Sequence, residues 1–145
     1  MDLRITSVNV LIRDKAGRTF LQMRDGKART EPLTWSFWGG AVDPSDANVE
    51  SCAARELLEE LGVAASPDQF RRLAERVGGD GQIAPLLLFL PPISWPEVSI
   101  NEGAGAAFFW RSEIEAIPVS KSVGWYLRNR PEFLHAAGAP RGQTS

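Results

Sequence analysis

The chain carries a single cysteine, Cys52, and a single histidine, His135, in 145 residues. One thiol excludes an intrachain disulfide framework and fits a reducing compartment. With no partnered base in view, Cys52 reads as a buried, inert thiol rather than a nucleophile. One imidazole near the C-terminal end, read as structural or exposed, leaves no case for a His-based metal site or a catalytic triad. Long apolar runs are also missing: the longest, around residues 84–92, falls far short of the roughly 20 residues a membrane span needs. The opening stretch lacks the layout of a secretory signal, so a soluble cytoplasmic protein is expected. No excess of either charge exists, with 16 Lys and Arg against 18 Asp and Glu. That balance offers no footprint for a nucleic-acid polymer or an anionic membrane, and any polyanion must be met locally.

What is present reads as one domain over residues 1–135, followed by a flexible tail at 136–145, with no internal repeat. Apolar and polar residues alternate from Leu3 to Arg13, and Asp14 to Gly17 turns the chain into a second strand ending at Arg24. A polar loop from Asp25 to Pro32 leads to a short strand, Leu33 to Trp38, that delivers Gly39 and Gly40. A helix is expected from Ala47 to Leu61, closed by Gly62. Phe70 to Val77 and Gln82 to Pro91 form an antiparallel pair, with Leu86 to Leu90 as a buried central strand. Ala106 to Arg111 is a further strand, and Ser120 to Asn129 a second long helix. The order of elements predicts a mixed α/β layer architecture.

The most informative stretch is Gly39 to Val63. At about 100° per residue, with Glu56 as zero, Glu60 falls near +40° and Glu59 near −60°, so three carboxylates share an arc of roughly 100°. Ala54, Leu57, Leu58 and Leu61 form the apolar side. Three such acids repel one another unless a hard cation bridges them, and Mg²⁺ takes oxygen ligands of this kind. An ordinary solvated helix face is the alternative that the heptapeptide alone allows.

Gly39 to Val63 resembles the Nudix box, G-x(5)-E-x(7)-R-E-U-x-E-E-x-G-U with U aliphatic, and Arg55 to Val63 matches it throughout. The upstream half departs twice: the glutamate position holds Asp46, and eight residues rather than seven separate it from Arg55. The extra residue falls at the helix start, where Asp46 or Asn48 could be the N-cap. The resemblance implies the Nudix fold, an α/β/α sandwich around a mixed β-sheet with a loop-helix-loop catalytic motif.

It also implies a function. Glu56, Glu59 and Glu60, with the Gly40 carbonyl, would ligate Mg²⁺, with Mn²⁺ as a substitute. Arg55 would orient them by gripping a carboxylate, either Asp46 or Glu50. Glu102, in Asn101-Glu102-Gly103, resembles a late acidic element of nucleotide-pool-cleaning relatives and is the candidate general base; an exposed loop acid is the alternative. Arg24 is a candidate phosphate contact, weighed against a surface ion pair. Trp38, with Trp35, is a candidate stacking platform for a nucleobase, weighed against a core position. Gly39, Asp46, Glu50 and Gly62 are expected to support the site. The implied activity is hydrolysis of a nucleoside diphosphate derivative, preferably a (d)NTP or oxidised (d)NTP, to the monophosphate and pyrophosphate. Nucleotide sugars, ADP-ribose, dinucleoside polyphosphates and coenzyme A are alternative substrates, and a non-catalytic nucleotide-binding module is the alternative class. An isopentenyl-type diphosphate isomerase would want a cysteine in another setting than Cys52. A small-molecule nucleotide is the expected partner; the oligomeric state stays open, with a homodimer allowed.

Overall fold

Alternation along the strands sends successive side chains to opposite faces of one mixed sheet, and each face is then covered by helix. The computed structural model describes residues 1–101 and 103–134; Glu102, His135 and the tail expected at 136–145 lie outside the described residues. In chain order the strands and α-helices are β1 Ser7–Arg13, β2 Thr19–Met23, β3 Trp35–Ser36, β4 Trp38–Ala41, α1 Val49–Leu61, β5 Phe70–Val77, β6 Ile83–Phe89, β7 Gly105–Phe109, α2 Arg111–Ile114 and α3 Lys121–Asn129.

β1 lies at the centre. One edge pairs parallel with β6, from Asn9–Leu86 to Leu11–Leu88, and β5 extends the sheet antiparallel beyond β6. The other edge is shared by two partners. Ile12 and Arg13 pair with Phe20 and Thr19 of β2, whereas Ser7 to Val10 pair with β4. β2 therefore peels away from β1 and pairs instead with β3, through Gln22–Ser36 and Met23–Trp35, while β7 lines its far side. The chain crosses from β2 to β1 at Phe37. That crossing opens the sheet where β2 and β4 diverge, and a cleft lies there.

Val8, Val10, Ile12, Phe20, Trp38, Leu87 and Phe89 pack beneath α1 on one face. Leu11, Leu21, Phe37, Leu86 and Leu88 pack against Ile114, Val123 and Tyr126 on the other. The architecture is thus the expected α/β/α sandwich around a mixed sheet. Leu57 and Leu61 are fully buried, and truncating either to Ala would cost roughly 2–5 kcal/mol. Among the described residues no helix is long and apolar enough to cross a membrane.

Local boundaries differ from the sequence reading for identifiable reasons. The double glycine lies inside β4, with Gly39 opposite Asn9 and Gly40 opposite Val8, rather than after a strand. α1 begins at Val49, because the Asn48 side chain accepts the Ser51 N–H at 2.8 Å and so caps it. Leu58, expected on the apolar side, is 55% exposed. Gly62, at φ 68, ends the helix in the left-handed region, with its N–H on the Leu58 carbonyl at 3.0 Å.

Candidate functional site

The buried residues of α1 are Val49, Cys52, Ala53, Glu56, Leu57, Glu60 and Leu61. On the helical wheel they span from about −40° at Cys52 to about +140° at Leu61, with Glu56 and Glu60 inside that arc. The two acids are therefore not opposite the apolar stripe, as the sequence reading had them, but within the face that meets the sheet. They can lie there because the strand beneath them is β4, whose glycines present no side chain. A Cβ on Gly40 would stand 2.7 Å from Glu56 Oε1. Gly39 donates its N–H to Glu60 Oε1 at 3.1 Å. Its own requirement for glycine is stricter, since at φ 122 an added Cβ would run into the Val8 carbonyl oxygen. Glu56 and Glu60 are left 8% and 5% exposed, a burial acids tolerate only when bonded or paired.

Arg55 organises this cluster. Its Nε and Nη2 donate to Asp46 Oδ1 and Oδ2 at 3.0 and 2.8 Å, a two-pronged grip. Nη2 also reaches the Ala41 carbonyl at 3.1 Å, while Nη1 lies 3.2 Å from Glu56 Oε1 and 3.3 Å from Glu59 Oε1. One guanidinium thus fastens α1 to the end of β4 and holds two of the three glutamates. The Arg55 hydrogen bonds bring the Asp46 carboxyl down to about 2 against the desolvation that would raise it. Of the two carboxylates offered to Arg55, Asp46 has it; Glu50 pairs instead with Arg72, Nε to Oε2 at 3.1 Å. Asp46 is free for this because Asn48 does the capping. The longer turn closes on itself, with Asp43 N–H donated to Asp46 Oδ2 at 2.8 Å and Ser45 N–H to Asp43 Oδ1 at 2.9 Å.

The C-terminal end of α1 is held from a distance. Its last four carbonyls need partners from outside the helix ladder. Leu58 O has Gly62 N–H; Glu60 O and Leu61 O accept from the backbone N–H groups of Asn101 and Ser99, at 2.9 and 3.0 Å. The Asn101 side-chain amide donates to Glu59 O at 3.2 Å. Ala104 N–H then binds the Met23 carbonyl at 2.8 Å, so the segment starting at Ser99 ties the acid helix to the end of β2. No sequence pattern announced this cap, because its partners lie some forty residues apart.

Between these walls lies a cleft of ≈ 440 Å³ that brings Glu56, Glu59, Glu60, Gly39, Gly40 and Arg24 together. Glu59 sits at its rim with a side chain 52% exposed. Among the described residues no three His, Cys, Asp or Glu side chains stand gathered as a formed metal centre, Glu59 being turned toward Arg55. The donors are all oxygens, and the missing Cβ of Gly40 lets the Glu56 carboxylate lie against the β4 backbone, so the set fits a hard divalent cation. Arg24 lines the cleft but donates Nε to Thr30 O at 2.9 Å and Nη2 to Thr30 Oγ1 at 3.3 Å, bracing the loop after β2. Trp38 is a correction: it is fully buried, its ring 5.3 Å from that of Phe20, and offers no face to a base. As the β4 residue sharing a face with Gly40, it points under α1. Trp35 is likewise packed, edge-on to Phe109 at 4.8 Å. Cys52 is buried and its thiol is pushed by desolvation up to about 12, consistent with an inert group. The cleft also contains Gly103, from the Asn101-Glu102-Gly103 element, and Gln22, Asp25 and Ala28, which no sequence motif marked.

The model of the NUDIX domain matches residues 3–92. No curated protein matches the sequence significantly. Among solved structures the chain is similar to MutT in a study of the Aliivibrio salmonicida and Vibrio cholerae proteins, at 16% identity and TM-score 0.70, over 90% of this chain and 96% of that one. It is similar to a MutT protein from Methanosarcina mazei Go1, at 22% identity and TM-score 0.62, over 90% and 89% of the two chains. It is also similar to the NUDIX domain of Shewanella oneidensis NrtR, solved with ADP-ribose, at 14% identity and TM-score 0.68, over 92% and 90%. At these identities the likeness is one of fold.

Proposed function

The chain belongs to the Nudix family, and from that premise we propose that it is a divalent-cation-dependent hydrolase cleaving the diphosphate linkage of a nucleoside diphosphate derivative. The observation that carries this reading is the pair Glu56 and Glu60, held 8% and 5% exposed against the glycines of β4 at the wall of the cleft. Burying two acids side by side is costly unless a cation or donor rewards it. Glu56, Glu60 and Glu59, with the Gly40 carbonyl, would hold Mg²⁺, or Mn²⁺ in its place. Such a cation, when bound, neutralises the diphosphate and acidifies a water.

The chain's own groups then divide the work. Arg55 keeps Glu56 and Glu59 oriented while anchored on Asp46. Gly39 N–H orients Glu60. Arg24, on releasing Thr30, would meet a phosphate oxygen. Glu102 would take the proton of the attacking water as the new P–O bond forms and the anhydride P–O bond breaks. A (d)NTP or oxidised (d)NTP is the preferred substrate, with the monophosphate and pyrophosphate as products. The retention of the three glutamates that would ligate the cation, Glu56, Glu59 and Glu60, speaks for catalysis over a binding module of the same fold.

A hydrolysis screen of nucleoside triphosphates, nucleotide sugars, ADP-ribose and coenzyme A with Mg²⁺ or Mn²⁺, identifying both products, tests the reading. Glu60→Gln should abolish turnover and weaken Mn²⁺ binding measured by electron paramagnetic resonance, while keeping the far-ultraviolet dichroism of the native chain. Absence of turnover across the panel together with Mn²⁺ binding unaffected by Glu60→Gln would sink it.

A further inference from the structure

The crossing from β2 to β1 leaves the Phe37 carbonyl between two strands, and Gln22 answers it. Gln22 is a buried residue, only 8% exposed, and its Nε2 donates to Phe37 O at 3.1 Å. A carbonyl only accepts, so the amide group facing it must be the NH₂, and that fixes the whole side chain's orientation. Oε1 must then face away, toward the cleft that Gln22 and Gly103 both line. A Cβ added to Gly103 would stand 3.3 Å from Oε1 and 2.8 Å from the Met23 carbonyl, so only glycine leaves this approach open. No donor among the described residues reaches Oε1, and the atom is not one of those sealed in the interior. The result is an acceptor of fixed direction, on a residue more than nine-tenths buried that lines the same cleft as the acids.

We propose that Gln22 is a specificity-determining residue of this cleft, its Oε1 accepting a hydrogen bond from an N–H or O–H donor on the nucleoside part of the substrate. The proposal rests on the nucleotide-hydrolase reading of the same site. With the diphosphate drawn to the Glu56–Glu60 wall, the part of the ligand beyond it meets β2, where Gln22 and Arg24 lie two residues apart on one face. An acceptor that water must leave before the ligand enters penalises any ligand unable to replace that bond. Sites built in this way discriminate strongly against analogues lacking the donor.

The test compares wild type with Gln22→Met, which conserves volume and removes the acceptor. The probes are GTP, its 2′-deoxy and 3′-deoxy forms, ITP without the N2 amino group and 1-methyl-GTP without the N1 proton, together with ATP, 2′-deoxy-ATP and 3′-deoxy-ATP. Turnover is measured with Mg²⁺, and calorimetry measures binding of the corresponding monophosphates. Expected is one analogue whose kcat/KM in wild type falls by about 10²-fold or more and for which Gln22→Met makes no further difference, whereas the parent nucleotide loses a similar factor in the variant. The analogue that behaves so tells a ribose hydroxyl from a base N–H. Bracing of Phe37 alone would lower all substrates together, and a uniform loss, or none, overturns the proposal. Monophosphate binding that depends on Gln22 without turnover would overturn the hydrolase and keep the contact; turnover indifferent to Gln22 would do the reverse.

Discussion

Asp46 holds Arg55 by both carboxylate oxygens, at 3.0 and 2.8 Å, across nine positions of sequence that include the first turn of α1. The same guanidinium touches Glu56 and Glu59. Whatever fixes Asp46 therefore fixes the cleft, although Asp46 itself is remote from it in role.

Replacing Asp46 with Asn should leave the turn largely intact but deprive Arg55 of its anionic partner. Loss of such a supporting contact around a metal site commonly costs 10- to 100-fold in affinity or activity, and a drop of about that size in kcat/KM is expected. Asp46→Glu should not serve as a silent change, because Oδ2 also receives the Asp43 N–H at 2.8 Å, and a longer arm misplaces that bond. Steady-state kinetics of both variants on the preferred substrate check this.

The pH dependence of stability follows from the same pair. The folded Asp46 carboxyl is lowered from 3.8 to about 2, chiefly by its hydrogen bonds to Arg55. A depressed folded value means the unfolded chain takes up the proton first, so the stabilisation is full above the unfolded value and is lost as pH falls through about 4 toward 2. With partial solvent screening it is worth roughly 1–2 kcal/mol. Urea unfolding at pH 7 and pH 3 should show Asp46→Asn losing roughly half of its disadvantage at the lower pH; a constant difference would contradict it.

The two glycines of β4 should separate fold from site. Gly39→Ala forces a Cβ onto the Val8 carbonyl at φ 122, and severe destabilisation or insoluble protein is expected. Gly40→Ala drives Cβ only against the Glu56 carboxylate, 2.7 Å away. That variant should fold, with a melting temperature shifted by a few degrees, and lose about 10-fold or more in activity at saturating substrate. Equal damage from both in thermal melts would show that Glu56 cannot yield.

Asn101 is exposed yet caps two carbonyls of α1. Asn101→Ala removes only the side-chain bond to Glu59 O, so stability should fall by about 1 kcal/mol or less. Because the bonded carbonyls belong to Glu59 and Glu60, the Mg²⁺ concentration giving half-maximal rate should rise several-fold, and Asn101→Gln should restore part of it. A stability loss without any change in metal dependence would make the cap purely structural.

Much of this was readable in advance where neighbours in sequence are neighbours in space. The α1 acids at i, i+3 and i+4, the helix stop at Gly62 and the hairpin around residues 14–17 are local events, governed by helical pitch and turn chemistry. The position of Trp38 was not, since a bulky residue before a double glycine can face a ligand or the core. Only the pairing Val10–Trp38, which sets the face, decides. Leu58 misled for a similar reason: the acids took the inward arc that a leucine would have occupied, and no wheel reveals which arc meets glycine.

By itself, then, the sequence determined that a short helix presents three glutamates and an arginine in one local array, because that follows from 3.6 residues per turn. The tertiary structure alone decided that Glu56 and Glu60 point inward over Gly40 and Gly39, and that Arg55 takes Asp46 while Glu50 goes to Arg72. It also decided that Gln22 lines the cleft with its amide N–H held on the Phe37 carbonyl. These depend on how strands distant in sequence are paired, and on which carbonyl each crossing leaves to be satisfied.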